Sequence, residues 1–232
     1  MAIRKLPALS VASPLAPDFP SHDELTVFAW LFRDATRSRN RASGGGALST
    51  VGSGPTYSDT YVTMGAGSGI RTPVTGIHSA ITVMTAIRKA SGGGGTYHRV
   101  WNIAGNAVLF WRNTDDVLIC YGANGTSYQA ELTIQDNTAW HVIAVAMGGS
   151  DVVRVRNLTE GTEAEGGLAT APTTATSTYL EFNVSSATPT TQTRTLDWAW
   201  AAHLSKRLTD VEQDAFYDAI QPRLLIHQEI AA

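Results

Sequence analysis

Residues 139–157 constrain the fold of this chain more than any other segment, because they read as two strands joined by a tight Gly-Gly-Ser turn. Side chains of the first strand form two apolar faces, Trp140, Val142, Ala144 and Ala146 on one and His141, Ile143, Val145 and Met147 on the other. A strand that is apolar on both faces lies between two layers, as the inner strands of a β-sandwich do. In the second strand valines alternate with arginines, so one face of that strand is predicted to meet solvent.

The same segment resembles the core hairpin of laminin-G-like domains, which belong to the concanavalin A-like jelly-roll superfamily. The shared features are a turn, then Trp140-His141 opening a buried strand, then a Gly-Gly turn and a partner strand. The resemblance implies an all-β, concanavalin A-like jelly-roll β-sandwich. It leaves the function open, because sandwiches of this kind serve as lectins, glycosidases and structural modules.

Residues 1–24 are predicted to form an extended arm that precedes the sandwich at residues 25–232. Four prolines argue against a regular helix or a central strand in this segment, namely Pro7, Pro14, Pro17 and Pro20. Five apolar residues would be exposed if the arm floated, namely Leu6, Leu9, Val11, Leu15 and Phe19. We therefore expect the arm to lie on another subunit, either a copy of this chain in a homo-oligomer or a different protein of the same assembly. A trimer is favoured, because cyclic symmetry lets each arm reach the next chain.

Short strand patterns follow the arm and are separated by turns rich in Gly, Asn, Asp and Ser, as in an all-β sandwich. Besides the hairpin, we predict strands over residues 26–32, 61–64, 80–89, 97–103, 107–112, 117–121, 128–133, 179–183 and 195–201. A single helix is predicted over about residues 209–221, where Thr209 and Glu212 form a capping box and Pro222 marks the end. Its predicted apolar face consists of Val211, Ala215, Phe216, Ala219 and Ile220.

Residues 195–221 are similar to the closing strand and short terminal helix of laminin-G-like domains in bacteriophage virion proteins. The matched positions are Leu208, Thr209, Asp210, Glu212, Phe216 and Tyr217, and the resemblance extends over roughly residues 80–221. It implies a structural or interaction protein of a phage particle, in the tail, baseplate, fibre or capsid decoration, with other virion subunits as partners. Such a protein is assembled in the host cytoplasm, resides in the virion and can contribute to attachment to a host-surface glycan.

Charge and composition argue against several classes of function. The net charge of −3 over 232 residues argues against a nucleic-acid-binding protein, and no apolar run reaches membrane-spanning length. The single cysteine, Cys120, excludes an intrachain disulfide framework and is predicted to be a packed thiol. Related glycosidases place paired carboxylates on one strand. That spacing is missing here. Two carboxylates lie close together at Glu163 and Glu165, but these residues are predicted to lie in a solvated turn. We therefore predict no enzymatic activity.

A carbohydrate-binding, lectin-like module is the alternative to the phage structural role, and a glycoside hydrolase of the same fold is a second alternative. The candidate ligand platform consists of Trp111, Tyr128, Asp197, Trp198 and Trp200. Strand alternation predicts that Trp198 and Trp200 share one face and that Asp197 lies on the other. The competing interpretation is that both tryptophans pack against the terminal helix.

A calcium site is a further hypothesis, because laminin-G-like and lectin relatives often hold calcium through Asp and Asn side chains and loop carbonyls. The best local cluster of oxygen ligands is Asn113, Asp115 and Asp116. The same residue types are common in turns for backbone reasons, so a purely structural turn is the competing interpretation. The sequence predicts no other cofactor.

Overall fold

Two antiparallel sheets that share one apolar core form the body of the protein, as a computed structural model describes it. The structure describes residues 26–31, 48–58, 61–77, 79–90, 97–103, 107–121, 128–148, 152–167, 175–183 and 195–228. Its elements are, in chain order, β1 (Thr26–Leu31), β2 (Ser49–Gly52), β3 (Thr56–Tyr57), β4 (Val62–Met64), β5 (Ser68–Ile77), β6 (Ile81–Lys89), β7 (Tyr97–Ile103), β8 (Ala107–Arg112), β9 (Val117–Tyr121), β10 (Tyr128–Thr133), β11 (His141–Met147), β12 (Val152–Asn157), β13 (Thr162–Gly167), β14 (Ala175–Phe182), β15 (Leu196–Leu204) and α1 (Asp210–Gln228). The predicted arm over residues 1–24 lies outside the described residues.

The strands divide between an eight-stranded and a seven-stranded sheet. The first has the order β13-β12-β11-β6-β15-β4-β3, with β1 also paired to β15, and the second has the order β10-β9-β8-β7-β14-β5-β2. This architecture confirms the predicted fold class, an all-β sandwich of jelly-roll type with a C-terminal helix. Within the described residues, no helix combines the length and apolar character needed to cross a membrane.

The hairpin of β11 and β12 lies between two apolar layers, as its alternation predicts. On one side of β11, the core between the sheets contains Ile143, Val145 and Met147. On the other side lies a second buried group, which we call the outer cluster: Met84, Ala86, Trp140, Val142, Ala144, Ala199, Trp200, Ala202, Leu204, Leu208, Phe216 and Ile220. Both faces of β11 are buried, because the seven-stranded sheet covers one face and α1 covers the other. Cys120 lies in the core between the sheets, which confirms the predicted packed thiol.

The N-terminus of α1 has the predicted capping box, but the predicted end of the helix is wrong. The backbone N–H of Thr209 donates to Glu212 Oε2 at 2.8 Å, and the N–H of Glu212 donates to Thr209 Oγ1 at 3.3 Å. The helix then continues through Pro222 to Gln228. Proline removes one hydrogen bond from a helix, but its fixed φ is compatible with helical backbone, so the chain is not forced to leave the helix there.

The apolar face predicted for α1 is only partly correct. Phe216 and Ile220 are buried, whereas Val211 is 78% exposed, and Ala215 and Ala219 are also exposed. The rotation of the helix is set by Phe216, whose ring lies 5.8 Å from that of Trp200. That rotation buries the polar Gln213, which donates from Nε2 to the carbonyl of Leu208 at 3.0 Å.

The predicted solvated turn around Glu163 and Glu165 is instead the strand β13. Glu163 lies opposite Arg156 in the register of β12 and β13. Glu163 is also 2.8 Å from Arg154 Nη2, and its carboxylate is 3.4 Å from Arg156 Nε. Cross-strand pairs of opposite charge favour a strand at a position where flanking glycines suggest a turn.

Candidate ligand-binding face

The two tryptophans of β15 lie on opposite faces of the strand, which corrects the prediction that they share one. Trp198 pairs with Ile87 of β6, whereas Trp200 pairs with its neighbour Ala86, so β15 has one extra residue at this point. Such a β-bulge shifts the alternation by one position. Trp198 lies in the core between the sheets and Trp200 in the outer cluster. Both are at most 1% exposed, so neither ring has a face open to a ligand.

Asp197, the predicted polar partner of these rings, is held by neighbouring side chains. Its carboxylate accepts hydrogen bonds from Thr63 Oγ1 at 2.7 Å and from Arg88 Nη2 at 2.8 Å. The guanidinium of Arg88 lies 4.7 Å from the ring centre of Trp140 and 5.3 Å from that of Tyr61. The arrangement ties β15 to β4 and β6 and leaves Asp197 only 3% exposed.

Trp111 and Asp116 also take part in a polar contact, which is partly buried. The indole N–H of Trp111 donates to Asp116 Oδ1 at 3.0 Å, and Lys89 Nζ lies 2.6 Å from the same oxygen. Asn137 donates to the other carboxylate oxygen. Burial by itself would raise the pKa of Asp116, but these three donors outweigh burial and lower it. Trp111 itself is 1% exposed and therefore offers no stacking surface.

The two carboxylates among the calcium candidates have different partners in the structure. Asp115 pairs with Arg112, at 2.7 Å from Nε and 2.8 Å from Nη2, and this contact lowers the pKa of Asp115. Asp116 pairs with Lys89 instead. Among the described residues, no group of three or more His, Cys, Asp or Glu side chains is placed to hold a metal ion. Calcium binding at Asn113, Asp115 and Asp116 stays a prediction.

Tyr128, the remaining predicted platform residue, begins β10 opposite Tyr121 of β9. Its side chain lies outside the described part of the chain.

The outer face of the seven-stranded sheet carries a cleft that is absent from the candidate sites predicted from the sequence. Along β8, Ala107, Leu109 and Trp111 are buried, while the alternate residues Val108, Phe110 and Arg112 are only half-buried. The aromatic cleft, as we call it, has a volume of about 370 Å³ and is lined by Tyr97, Arg99, Val108, Phe110 and Tyr121. An aromatic residue at an outward position of β8 is the sequence signal for this site, and the candidate Trp111 lies next to it on the inward face.

Two tyrosine rings in the aromatic cleft contact the ring of Phe110 edge to face. Phe110 is central, 6.0 Å from the ring of Tyr97 and 5.6 Å from the ring of Tyr121. Arg99 lies opposite Phe110 in the pairing of β7 and β8, and its guanidinium carbon is 5.2 Å from the centre of the phenyl ring. Burial lowers the pKa of Arg99, and the charge of Glu181 partly offsets this effect.

Glu181 extends the same face of the sheet beyond the cleft. It lies opposite Asn102, and Asn102 lies opposite Val108, so the pairing of β14, β7 and β8 places these residues in one row. Glu181 Oε1 accepts from Arg71 Nε at 2.9 Å and lies 2.8 Å from Arg71 Nη2. This part of the face therefore combines aromatic rings with the guanidinium groups of Arg71 and Arg99 and the carboxylate of Glu181.

Known structures resemble this protein in fold at very low sequence identity. The binding domain of botulinum neurotoxin DC in complex with SialylT superposes with a TM-score of 0.64 and 7% identity, covering 86% of this chain and 52% of the other. The serotype D ligand binding domain in complex with N-acetylneuraminic acid gives a TM-score of 0.62 and 12% identity, covering 87% and 52%. The binding domain of botulinum neurotoxin serotype C1 superposes with a TM-score of 0.62 and 8% identity, covering 85% of this chain and 52% of the other.

These similarities show the fold. The protein has a β-sandwich fold shared with toxin binding domains. This chain spans about half the length of each of those neighbours. No protein-family model matches the sequence, and no curated protein matches it either.

Proposed function

We propose that this protein is a lectin-like carbohydrate-binding module whose ligand stacks in the aromatic cleft. The observation that carries the proposal is the group formed by Tyr97, Phe110 and Tyr121 on the outer face of a sheet, of which Tyr97 is 37% exposed. Aromatic rings offer flat apolar surfaces with polar groups at their edges, and ligand sites combine such surfaces with a few polar groups. A volume of about 370 Å³ lies at the small end of the range for ligand sites, which suits one or two sugar rings.

The structural neighbours support the same class of ligand. One is described in complex with N-acetylneuraminic acid and another in complex with SialylT. Those ligands belong to those proteins, and only about half of each neighbour corresponds to this chain. The support therefore concerns the class of ligand, and the location of the site rests on the aromatic cleft alone.

A role in a bacteriophage particle is the second candidate function, and it rests on the resemblance of residues 195–221 to virion proteins. That stretch forms β15 and the capped start of α1, the elements that the resemblance implies. The two proposals are compatible if the protein is an adhesin of the particle that binds a host-surface glycan. In that case we expect it in the virion, in contact with other virion subunits and as a homo-oligomer.

The first prediction concerns Phe110. Replacing Phe110 by alanine is expected to weaken glycan binding about tenfold or more, because it removes the ring that Tyr97 and Tyr121 both contact. Binding is measured on an immobilised glycan panel and then by calorimetry with the best ligand. Phe110→Tyr keeps the ring and should bind within a few-fold of wild type.

Val211→Ala is the control, since it removes an apolar side chain that is exposed on α1 rather than placed on the sheet face. It should bind as wild type does. If Phe110→Ala is folded and binds its glycan as tightly as the control, the aromatic cleft is not the binding site.

The second prediction is that the bound glycan is not hydrolysed. Most glycosidases use two carboxyl groups that flank the scissile bond, and the described lining of the aromatic cleft contains none. Glu181, on the same face, is already paired with Arg71. Release of reducing ends from the bound glycan is the measurement, and turnover that a Glu181→Gln substitution abolishes would show that the protein is an enzyme.

A further inference from the structure

We infer that the aromatic cleft selects sugars that bear a carboxylate, and that Arg99 is the residue that binds this group. The inference deepens the proposed function and rests on it. It follows from the position of Arg99, from the charges around it and from the geometry of a guanidinium group.

The position of Arg99 places its charge beside the stacking surface. Arg99 and Phe110 are paired across β7 and β8, and the guanidinium carbon is 5.2 Å from the centre of the phenyl ring. A sugar ring in contact with Phe110 and Tyr97 therefore lies next to the guanidinium group. A negative substituent on that ring can contact Arg99 without a change in the backbone.

The charges on this face are distributed unevenly. Arg71, Arg99 and Glu181 together carry a formal charge of +1 on the side of the cleft formed by β5, β14 and β7. On the opposite side, Arg112 lies 2.7 Å from Asp115 and 3.4 Å from Glu131, and these three groups carry −1. An anionic ligand is therefore expected to direct its charge toward Arg99 and away from Glu131.

The environment of Arg99 favours an anion over a neutral group. Burial lowers the pKa of Arg99 and the charge of Glu181 raises it less, which means that Glu181 offsets only part of the cost of burying this positive charge. A bound carboxylate adds a second countercharge to that of Glu181 and brings two acceptor oxygens that match the planar fork of the guanidinium. A neutral sugar bound in the same place displaces water from the guanidinium group, and it offers this group only uncharged hydrogen-bond acceptors. The structure thus points to acidic sugars, such as sialic or uronic acids.

The test compares matched pairs of ligands that differ in the acid group. Wild-type protein is titrated with sialyllactose and with lactose, and with oligosaccharides of glucuronic acid and of glucose. We expect the acidic member of at least one pair to bind about tenfold more tightly. Arg99→Gln should remove this preference, so that the acidic and the neutral member of the pair bind with similar affinity. Arg99→Lys keeps the charge but not the planar fork and should retain part of the preference.

Arg112→Gln is the control variant, because it removes an arginine from the same sheet face that pairs with Asp115 and Glu131. It should leave the preference for the acidic sugar unchanged. A sulfated oligosaccharide is included, and tighter binding of sulfate than of carboxylate would overturn the inference.

The possible failures are distinguishable. If acidic and neutral sugars bind equally and Arg99→Gln changes nothing, the inference about Arg99 is wrong while carbohydrate binding stands. If wild-type protein binds no glycan on the panel, the proposed function fails and the inference fails with it.

Discussion

Replacing Trp140 by alanine is expected to lower the free energy of unfolding by about 3–5 kcal/mol, the usual cost of deleting a large buried aromatic side chain. Trp140 is 5% exposed and lies in the outer cluster. Its ring is 5.8 Å from that of Tyr61, and the guanidinium of Arg88 lies 4.7 Å from its ring centre. The substitution therefore opens a cavity and also removes one wall around the Arg88–Asp197 ion pair.

The measurement is equilibrium unfolding in urea, monitored by a probe other than Trp140 fluorescence, such as circular dichroism. Val211→Ala serves as the exposed control and should change the free energy of unfolding by less than about 0.5 kcal/mol. Trp140 lies on the eight-stranded sheet, away from the aromatic cleft, so folded Trp140→Ala should still bind the glycan. A variant with wild-type stability and lost binding would show that Trp140 is a ligand residue.

Replacing Asp116 by alanine is expected to cost about 3 kcal/mol, because two effects act together. The substitution leaves the indole N–H of Trp111 and the ammonium of Lys89 without their shared acceptor. It also places alanine at a φ of 54°, in the left-handed region that Asp and Asn tolerate better. Unfolding in urea at neutral pH measures the loss. A cost below about 1 kcal/mol would show that this contact does not stabilise the turn between β8 and β9.

Asp116→Asn separates the two effects, since asparagine also tolerates the left-handed region and keeps one side-chain oxygen. It should cost less than the alanine substitution. The pKa of Asp116 is lowered in the folded protein, so the carboxylate contributes its full stability above the ordinary pKa of 3.8 and loses it as the pH falls through the lower folded value. The stability difference between wild type and Asp116→Asn should therefore shrink below pH 3.8. A difference that stays constant over this range would contradict the role of the charge.

The sequence predicted the structure correctly where patterns between residues close in the chain decide it. Both faces of β11 are apolar in the sequence and buried in the fold, so its alternation predicts an inner strand correctly. The capping box of Thr209 and Glu212 is likewise local, because the two residues satisfy each other's backbone within one turn. The Gly-Gly-Ser segment joins strands that pair in register, with Val145 opposite Val155.

Predictions that depended on an uninterrupted alternation along a strand, or on regular spacing along a helix, were less accurate. The bulge in β15 separates Trp198 from Trp200, and it is visible only in the pairing of β15 with β6. The rotation of α1 depends on the contact between Phe216 and Trp200, so Val211 is exposed although its spacing suggests burial. In both cases, a partner distant in sequence decides which side a residue faces.

The sequence by itself determined that this chain forms a sandwich of apolar strands closed by a capped helix, because apolar alternation and capping act between residues close in the chain. Only the tertiary structure decided which aromatic residues reach the surface. Phe110 and Trp111 are adjacent, and alternation shows only that they face opposite ways. The packing of β8 between β7 and β9 against the eight-stranded sheet turns Trp111 inward and leaves Phe110 in the aromatic cleft. The candidate site depends on this choice, since a one-residue shift in register would exchange the two faces.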